Sequence, residues 1–304
     1  MPSPLARFVR KQKTEHWNVG LVDAPIARFL DSDFRPRVTW MPAPPVWAFY
    51  ADPFGFERDG DLWVILEEYD HRVARGRLSV SRYRPASGFG EVLPILELPT
   101  HLAYPFLFEH DGALFCVPES HAGPTVELYR VDLNGGRLDR VGPLVEGFRA
   151  VDPTVFRHEG RWWLLCGDGS VRRDSHLCAF WAESPFGPWT PHAGNPVKVD
   201  AGTARPGGTP FVREGVLHRP AQDCRTAYGS AIALNRVLDL SPEAFREETV
   251  RMVTPDPASP YPHGLHTLSA AGPNRTLLDG VSRRLDPRVR AIRLGRRLKC
   301  LWCR

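Results

Sequence analysis

A hairpin-sized phrase recurs along this chain about every fifty residues, and self-similarity at that period belongs to radial repeat folds rather than to ordinary two-layer domains. It reads Ala51-Asp52-Pro53-Phe54-Gly55-Phe56-Glu57-Arg58-Asp59-Gly60, then Tyr104-Pro105-Phe106-Leu107-Phe108-Glu109-His110-Asp111-Gly112, then Asp152-Pro153-Thr154-Val155-Phe156-Arg157-His158-Glu159-Gly160. Two weaker copies follow, Gly207-Gly208-Thr209-Pro210-Phe211-Val212-Arg213-Glu214-Gly215 and Gly264-Leu265-His266-Thr267-Leu268 running on to Gly272. Five copies at the spacing of one blade predict an all-β chain folded as a five-bladed β-propeller. Inner strands are expected to begin near residues 52, 104, 152, 207 and 264, with Trp17–Val22 supplying a strand that helps close the ring.

Within one copy, alternating Phe54 and Phe56 lead into an acidic-Gly turn at Asp59-Gly60, and the apolar run Leu62–Leu66 leaves it, which is a hairpin pattern. The residue entering such a hairpin lies beside the residue leaving it. Asp52 is therefore expected near Glu67 and Glu68, Tyr104 near Glu119, Asp152 near Gly167 and Asp168, Gly207 near Gln222 and Asp223, and Gly264 near Asp279. If the hairpins are radial, these polar ends converge on one mouth of a central channel, and a ring of carboxylates there is a candidate site. A lone Asp-Pro is an ordinary turn or strand-opening device. Asp52 and Asp152 share one phase of two repeats, while the other copies carry Tyr104, Gly207 and Gly264, and a purely architectural cap would recur in most blades.

Composition is consistent with one large domain. The 304 residues are 42% hydrophobic with 16 Phe and 9 Trp, enough for a full core, and 30 Pro with 26 Gly suit many short strands and turns. Helical periodicity is confined to Ser241–Glu248, with Ser241 as N-cap and Pro242 at the first helical position, and to the C-terminus. Neither a signal-peptide core nor eighteen consecutive apolar residues is present, and six scattered cysteines read as reduced thiols, so a cytoplasmic location is expected. The Cys300-Leu301-Trp302-Cys303 pair has no second pair and no nearby His, so no metal and no cofactor is expected.

A formal net charge of +4 does not point to nucleic acid. The charge is concentrated at the end of the chain. Nine basic residues between Arg283 and Arg304, interleaved with Val289, Ile292, Leu294, Leu298, Leu301 and Trp302, make a basic amphipathic segment. It is read either as a helix packed on the outer wall or as a dock for an anionic membrane surface, placing the protein at the inner membrane face, or for a transferase partner. The basic stretch at 7–13 is placed alongside it. The domain reading is thus 1–16 basic extension, 17–282 propeller and 283–304 basic tail.

The Ala-Asp-Pro-Phe, Tyr-Pro-Phe and Asp-Pro-Thr series, with Arg219-Pro220-Ala221-Gln222-Asp223-Cys224 and Gly264-Leu265-His266-Thr267, resembles the N-terminal domain family of glucosamine inositolphosphorylceramide transferases. That family is itself similar to the five-bladed propellers of family 43 glycoside hydrolases and their furanosidase relatives. The resemblance spans about residues 17 to 282. It implies Asp52 as a general base and Asp152 as the residue that holds and tunes the acid. Where the hydrolases carry an acidic Glu opening the fourth blade, this chain has Ala204-Arg205-Pro206-Gly207-Gly208, so a displaced acid falls to Glu119 or Asp223.

Glycosyl transfer or hydrolysis needs an ionised carboxylate near the anomeric carbon and a proton donor near the leaving oxygen, and crowded carboxylates push neighbouring pKa values apart. The candidate catalytic residues are Asp52, Asp152, Glu119 and Asp223. Candidate substrate contacts are Glu67, Glu68, Tyr104, Arg219, Gln222, His263 and His266, the cationic and titratable ones suiting a phosphate-bearing leaving group. Trp47, Phe49, Tyr50, Tyr104 and Tyr261 are candidate sugar-stacking faces, whereas Trp63, Phe115, Trp162 and Trp163 read as core. The expected ligand is a sugar, a glycan or a sugar nucleotide. The reading leans to an enzyme of glycosyl transfer or glycoside processing in surface polysaccharide or glycolipid synthesis. The alternatives are a glycan-binding or scaffold module beside a separate transferase, and a hydrolase with a relocated acid.

Overall fold

A computed structural model describes residues 13–120 and 123–302, with side chains through residue 298. The basic stretch at 7–12 and the side chains of Cys300 and Cys303 lie outside the described residues. The described chain forms five antiparallel sheets. Blade 1 is Ala48–Arg58, Asp61–Asp70 and Arg75–Arg84, with Gly88–Phe89 and Leu93–Leu96 on its outer edge. Blade 2 is Leu102–His110, Ala113–Ser120, Thr125–Asp132 and Arg137–Glu146. Blade 3 is Ala150–His158, Arg161–Asp168 and His176–Ala182, edged by Thr190–Pro191 and Lys198–Val199. Blade 4 is Phe211–Arg213, Val216–Asp223, Ala231–Leu240 and Phe245–Val253. Blade 5 joins both ends of the chain: Leu268–Ala270 and Thr276–Arg284 pair with Thr14–Val22, which carries Thr39–Trp40 on its far side.

The repeated acidic-Gly pairs are the hairpin turns. Asp59-Gly60, Asp111-Gly112, Glu159-Gly160 and Glu214-Gly215 all have positive φ at both residues, the backbone that two-residue turns between twisted strands require. Five apolar clusters fill the seams between neighbouring blades. Those around Ile65 and Cys116, Phe106 and Trp162, and Leu165 and Ala204 join blades 1 to 4 in order. Those around Ile232 and Leu278, and Val19 and Leu62, complete the ring. Cys116, Cys166 and Cys178 are buried free thiols in these seams. Phe115, Trp162 and Trp163 are buried as read from sequence, while Trp63 is half-buried beneath Arg82.

Two elements correct the sequence reading. The helix expected at Ser241–Glu248 is a turn followed by the strand Phe245–Val253. The Ser241 hydroxyl accepts from the Ala244 N–H at 3.0 Å, so the residue expected to cap a helix caps a hairpin, and the following chain completes blade 4. Three inner strands start earlier, at Ala48, Leu102 and Ala150, so Asp52, Tyr104 and Asp152 lie within strands rather than at their openings, while those of blades 4 and 5 start later than 207 and 264, at Phe211 and Leu268. The helix Pro287–Trp302 follows the last strand. Its Val289 is buried and Arg296 donates to the His71 carbonyl at 3.3 Å, which lays the helix on the wall of the propeller.

Candidate active site

The repeated X-Pro pairs are β-bulges. Ala51 pairs with Glu67 and Phe54 with Ile65, so Asp52 and Pro53 together face a single residue, Leu66. Tyr104-Pro105 and Asp152-Pro153 make the same insertion in blades 2 and 3. Proline donates nothing to a ladder and is tolerated at a bulge. The residue before it is left-handed, at φ 49° for Asp52, 43° for Tyr104 and 50° for Asp152. Asp adopts that backbone readily and Tyr does not.

These bulges link blade to blade through carboxylates. The Asp52 N–H donates to Asp279 Oδ2 of blade 5 at 3.2 Å, the Tyr104 N–H to Asp52 Oδ2 at 3.2 Å, and the Asp152 N–H to Glu119 Oε2 at 3.1 Å. Asp152 then accepts from blade 4, from Arg205 Nε at 2.6 Å and Gln222 Nε2 at 2.7 Å. Asp52 Oδ1 accepts from Thr267 Oγ1 at 2.7 Å and lies 3.6 Å from His266 Nε2. A single belt of acids therefore ties neighbouring blades together around the channel.

Burial is severe. Asp52, Glu67, Glu119, Asp152, Arg205 and His266 are all buried, while Tyr228, 37% exposed, sits over them with its ring 4.9 Å from the Arg205 guanidinium and edge-on to His266 at 5.1 Å. Desolvation raises the Asp52 carboxyl above its usual range against the pull of His266. Asp152 is raised well above that range by burial despite the Arg205 charge. Glu67 is also raised well above the ordinary value, first by burial and then by Asp52, Glu119, Asp152 and Asp279, a direction that favours its neutral form. Burial pulls the His266 imidazole down, but Asp279 and Asp52 outweigh it and lift the pKa to about 9.

Asp52, His266 and Asp279 offer ligand atoms within 4.8 Å of one another, a spacing a small cation accepts. His266 Nδ1 is already 2.5 Å from Asp279 Oδ2. The protonated ring supplies the positive charge between the two acids, and a metal ion binding there must displace that proton.

The structure thus brings together Asp52, Glu67, Glu119, Asp152, Tyr104, Gln222 and His266. Four expected residues lie elsewhere, three of them because neighbouring residues in a strand face opposite ways and His263 because it stands in a turn ahead of the strand. Glu68, next to Glu67, accepts from Ser79 Oγ at 2.7 Å and Arg77 Nε at 3.0 Å within its own sheet. Arg219, an odd number of residues from Gln222, is buried against Glu247 of the same blade, with Nε 2.9 Å from Oε2. Asp223, next to Gln222, is paired with Arg225, which holds its carboxyl below the usual range, so it is no proton donor near neutrality. His263 is exposed and accepts from the Arg283 N–H at 3.2 Å. Likewise Gly264 pairs with Val281 rather than Asp279, which instead takes the N–H groups of His266 and Thr267.

Most of the expected stacking faces are occupied. Tyr104 is buried and acts as a girder across the channel, its hydroxyl accepting from the Gly208 N–H at 2.8 Å and meeting Thr154 Oγ1 at 3.0 Å. Phe49 stacks on Tyr69, Trp47 lies under Arg72 and Tyr50 is buried, whereas Tyr261, its hydroxyl accepting from Asn18, lines a separate cleft. Arg205, Tyr228, Thr267 and Asp279 were not singled out as site residues from sequence. Arg205 had a signal, since it stands in the stretch where the fourth-blade acid is missing; Tyr228 lies in a turn that no repeat marks.

The sequence profile of one family, described as glucosamine inositolphosphorylceramide transferase 1, N-terminal, matches residues 41–259. A glucosamine inositolphosphorylceramide transferase 1 of Oryza sativa subsp. japonica is 30% identical over 217 residues, and that of Arabidopsis thaliana 31% over 209. The matches cover 67% and 66% of this chain but only 28% and 27% of those proteins. Among solved structures, a family 117 glycoside hydrolase of Zobellia galactanivorans superposes with a TM-score of 0.55 at 14% identity, covering 80% of this chain and 86% of the other. A family 43 β-1,3-galactosidase with galactodeoxynojirimycin gives 0.54 at 13%, covering 72% and 83%. At such identities these two structures speak for the propeller fold alone.

Proposed function

The chain belongs to the family of glucosamine inositolphosphorylceramide transferase 1 N-terminal domains, and from that premise we propose that it is a carbohydrate-active propeller that takes a sugar at the carboxylate-lined mouth and processes or transfers it in surface polysaccharide or glycolipid synthesis. The observation that carries the reading is the meeting of Asp52, Glu67, Glu119 and Asp152 at one end of the channel, where burial and the neighbouring acids raise the Glu67 carboxyl. In this assignment Asp52 is the charged or sugar-orienting carboxylate, Asp152 its partner fixed by Arg205 and Gln222, and Glu67 or Glu119 the proton donor.

A second reading, a glycan-binding module that works with a separate transferase, is favoured by one feature: Asp52 and Asp152 both have their oxygens engaged by neighbouring blades. The chain spans little more than a quarter of the length of its curated relatives, 28% and 27%, so their full activity enters only as part of this proposal. The C-terminal helix fits a peripheral place on an anionic membrane, at the cytoplasmic face in this reading. Leu294 and Leu298 are 58% and 49% exposed beside outward-facing Arg290 and Arg297, while Arg293 and Arg296 turn to His71.

The test pairs turnover, or affinity on an array of glycans and sugar nucleotides, with thermal unfolding for Asp52→Asn and Asp152→Asn. Asn keeps the left-handed backbone and the side-chain size, so a catalytic role predicts turnover lower by about a hundredfold or more. Retained turnover or affinity with only a lower melting temperature would remove the site assignment.

A further inference from the structure

A second cleft, of about 660 Å³, opens between the outer edge of blade 4 and the strands of blade 5. Its walls carry Arg35, Arg37 and Arg251, the aromatic pair Trp40 and Tyr261, and at its inner end Asp279. Asp279 is committed to His266 and the bulge of blade 1, so it brings little free charge to the cleft. Asp256 is the other acid on the lining, and it accepts from the Ala258 N–H at 2.9 Å.

The arginines are left without counter-charges. Among the described residues none of the three has a carboxylate partner, in contrast to Arg28, Arg72, Arg213 and Arg275 elsewhere on the surface. Arg35 donates only to the Ser32 and Phe34 carbonyls, Arg251 only to the Ser32 carbonyl at 3.2 Å, and the buried Arg251 Nε has no partner. Three guanidinium groups around one cavity make a ready receptor for a multiply charged oxyanion.

The aromatic wall is held by two glycines. A Cβ at Gly280 would come within 2.6 Å of Trp40 Cη2 and 2.8 Å of Tyr261 Cβ, and one at Gly20 within 3.1 Å of Trp40 Cε3. Glycine at these strand positions lets the indole lie against the sheet, where Tyr261 meets it at 4.6 Å between ring centroids. Such a surface offers stacking to a planar base or to the apolar face of a sugar ring.

We propose that this cleft is a binding site for a small phosphorylated ring compound, its phosphates on Arg35, Arg37 and Arg251 and its ring against Trp40 and Tyr261. The site is separate from the carboxylates assigned to the channel mouth and meets their belt at Asp279. A nucleoside diphosphate and a sugar phosphate share this chemistry and are separated by experiment.

Calorimetric titration of the full chain with uridine diphosphate, glucose 1-phosphate and inorganic phosphate is the measurement. One of the two organic ligands should bind, with inorganic phosphate at least about tenfold weaker for want of a ring. Preference for the diphosphate identifies a nucleotide site; preference for glucose 1-phosphate identifies a sugar-phosphate site. Arg37→Glu, an exposed change that leaves the core intact, should weaken binding about tenfold or more, and Trp40→Phe should weaken it with the melting temperature reported alongside. No binding of either organic ligand at millimolar concentration overturns the proposal. So does binding that survives Arg37→Glu but is lost in Asp52→Asn, since that ligand would occupy the mouth.

Discussion

His266 lies with its two ring nitrogens toward two carboxylates, Nδ1 at 2.5 Å from Asp279 and Nε2 at 3.6 Å from Asp52, and with its face on Trp17 at 4.1 Å. Burial opposes its charge, but the two acids prevail and raise the pKa from 6.5 to about 9. A cation stabilised by the fold binds its proton more tightly folded than unfolded. The stabilisation is therefore complete below about pH 6.5 and lost as pH rises through about 9. The melting temperature should fall by roughly 5–10 °C across that window, and His266→Gln should start lower at pH 6 and show a flatter decline. Equal declines in both proteins would mean that the ring is neutral in the fold. His266 was legible from sequence because it stands in the fifth copy of the repeat, two residues after the position matched to Asp52 and Asp152. Arg219, Asp223 and Glu68 misled because a repeat fixes phase only to within a residue, whereas a strand reverses its face at every residue, and His263 because it stands in a turn ahead of the strand.

At the scale of elements, the bulge is the unit that makes this channel. One extra residue inserted in each of three inner strands turns Asp52, Tyr104 and Asp152 out of the ladder, and their N–H groups find acids on the preceding blade. The turns of these hairpins could be read from Asp-Gly and Glu-Gly alone. The bulges could not, since X-Pro also opens strands, and only the partner strand reveals the extra residue. Blade 4 enters differently, with Gly208 at φ 135° and its N–H on the Tyr104 hydroxyl. A side chain at Gly208 would run into the Leu268 backbone, so Gly208→Ala should cost about 3 kcal/mol or more. Tyr104→Phe leaves that buried N–H without its acceptor and should cost about 1–3 kcal/mol. Denaturant unfolding of the two variants measures both. A loss below about 0.5 kcal/mol for Tyr104→Phe would mean that the girder contributes nothing to joining blades 2 and 4.

For the whole molecule, five copies of one phrase were enough to read the ring, because each blade buries its faces only against neighbours and the count of copies sets the count of seams. What the repeat cannot specify is how the ring closes, and here the two ends of the chain have opposite roles. Thr14–Val22 pairs along its whole length with Thr276–Arg284 and buries Trp17, Asn18, Val19 and Leu21, so the first strand seals a seam that the last blade leaves open. The C-terminal helix instead touches the wall through Val289 and the Arg293 and Arg296 contacts with His71. Removing residues 1–22 should therefore expose the edge of Thr276–Arg284 and abolish cooperative unfolding, seen as a broad, featureless melt by circular dichroism. Removing residues 290–304 keeps Asp286 and Val289 in place and should leave a sharp transition within about 5 °C of the full chain. The same shortened protein should sediment less with vesicles containing anionic lipid, because the exposed Leu294 and Leu298 and the outward arginines are gone. A cooperative melt after loss of the first strand would show that blade 5 closes without it. Unchanged sedimentation after loss of the helix would reduce that helix to packing, leaving the membrane reading without its surface.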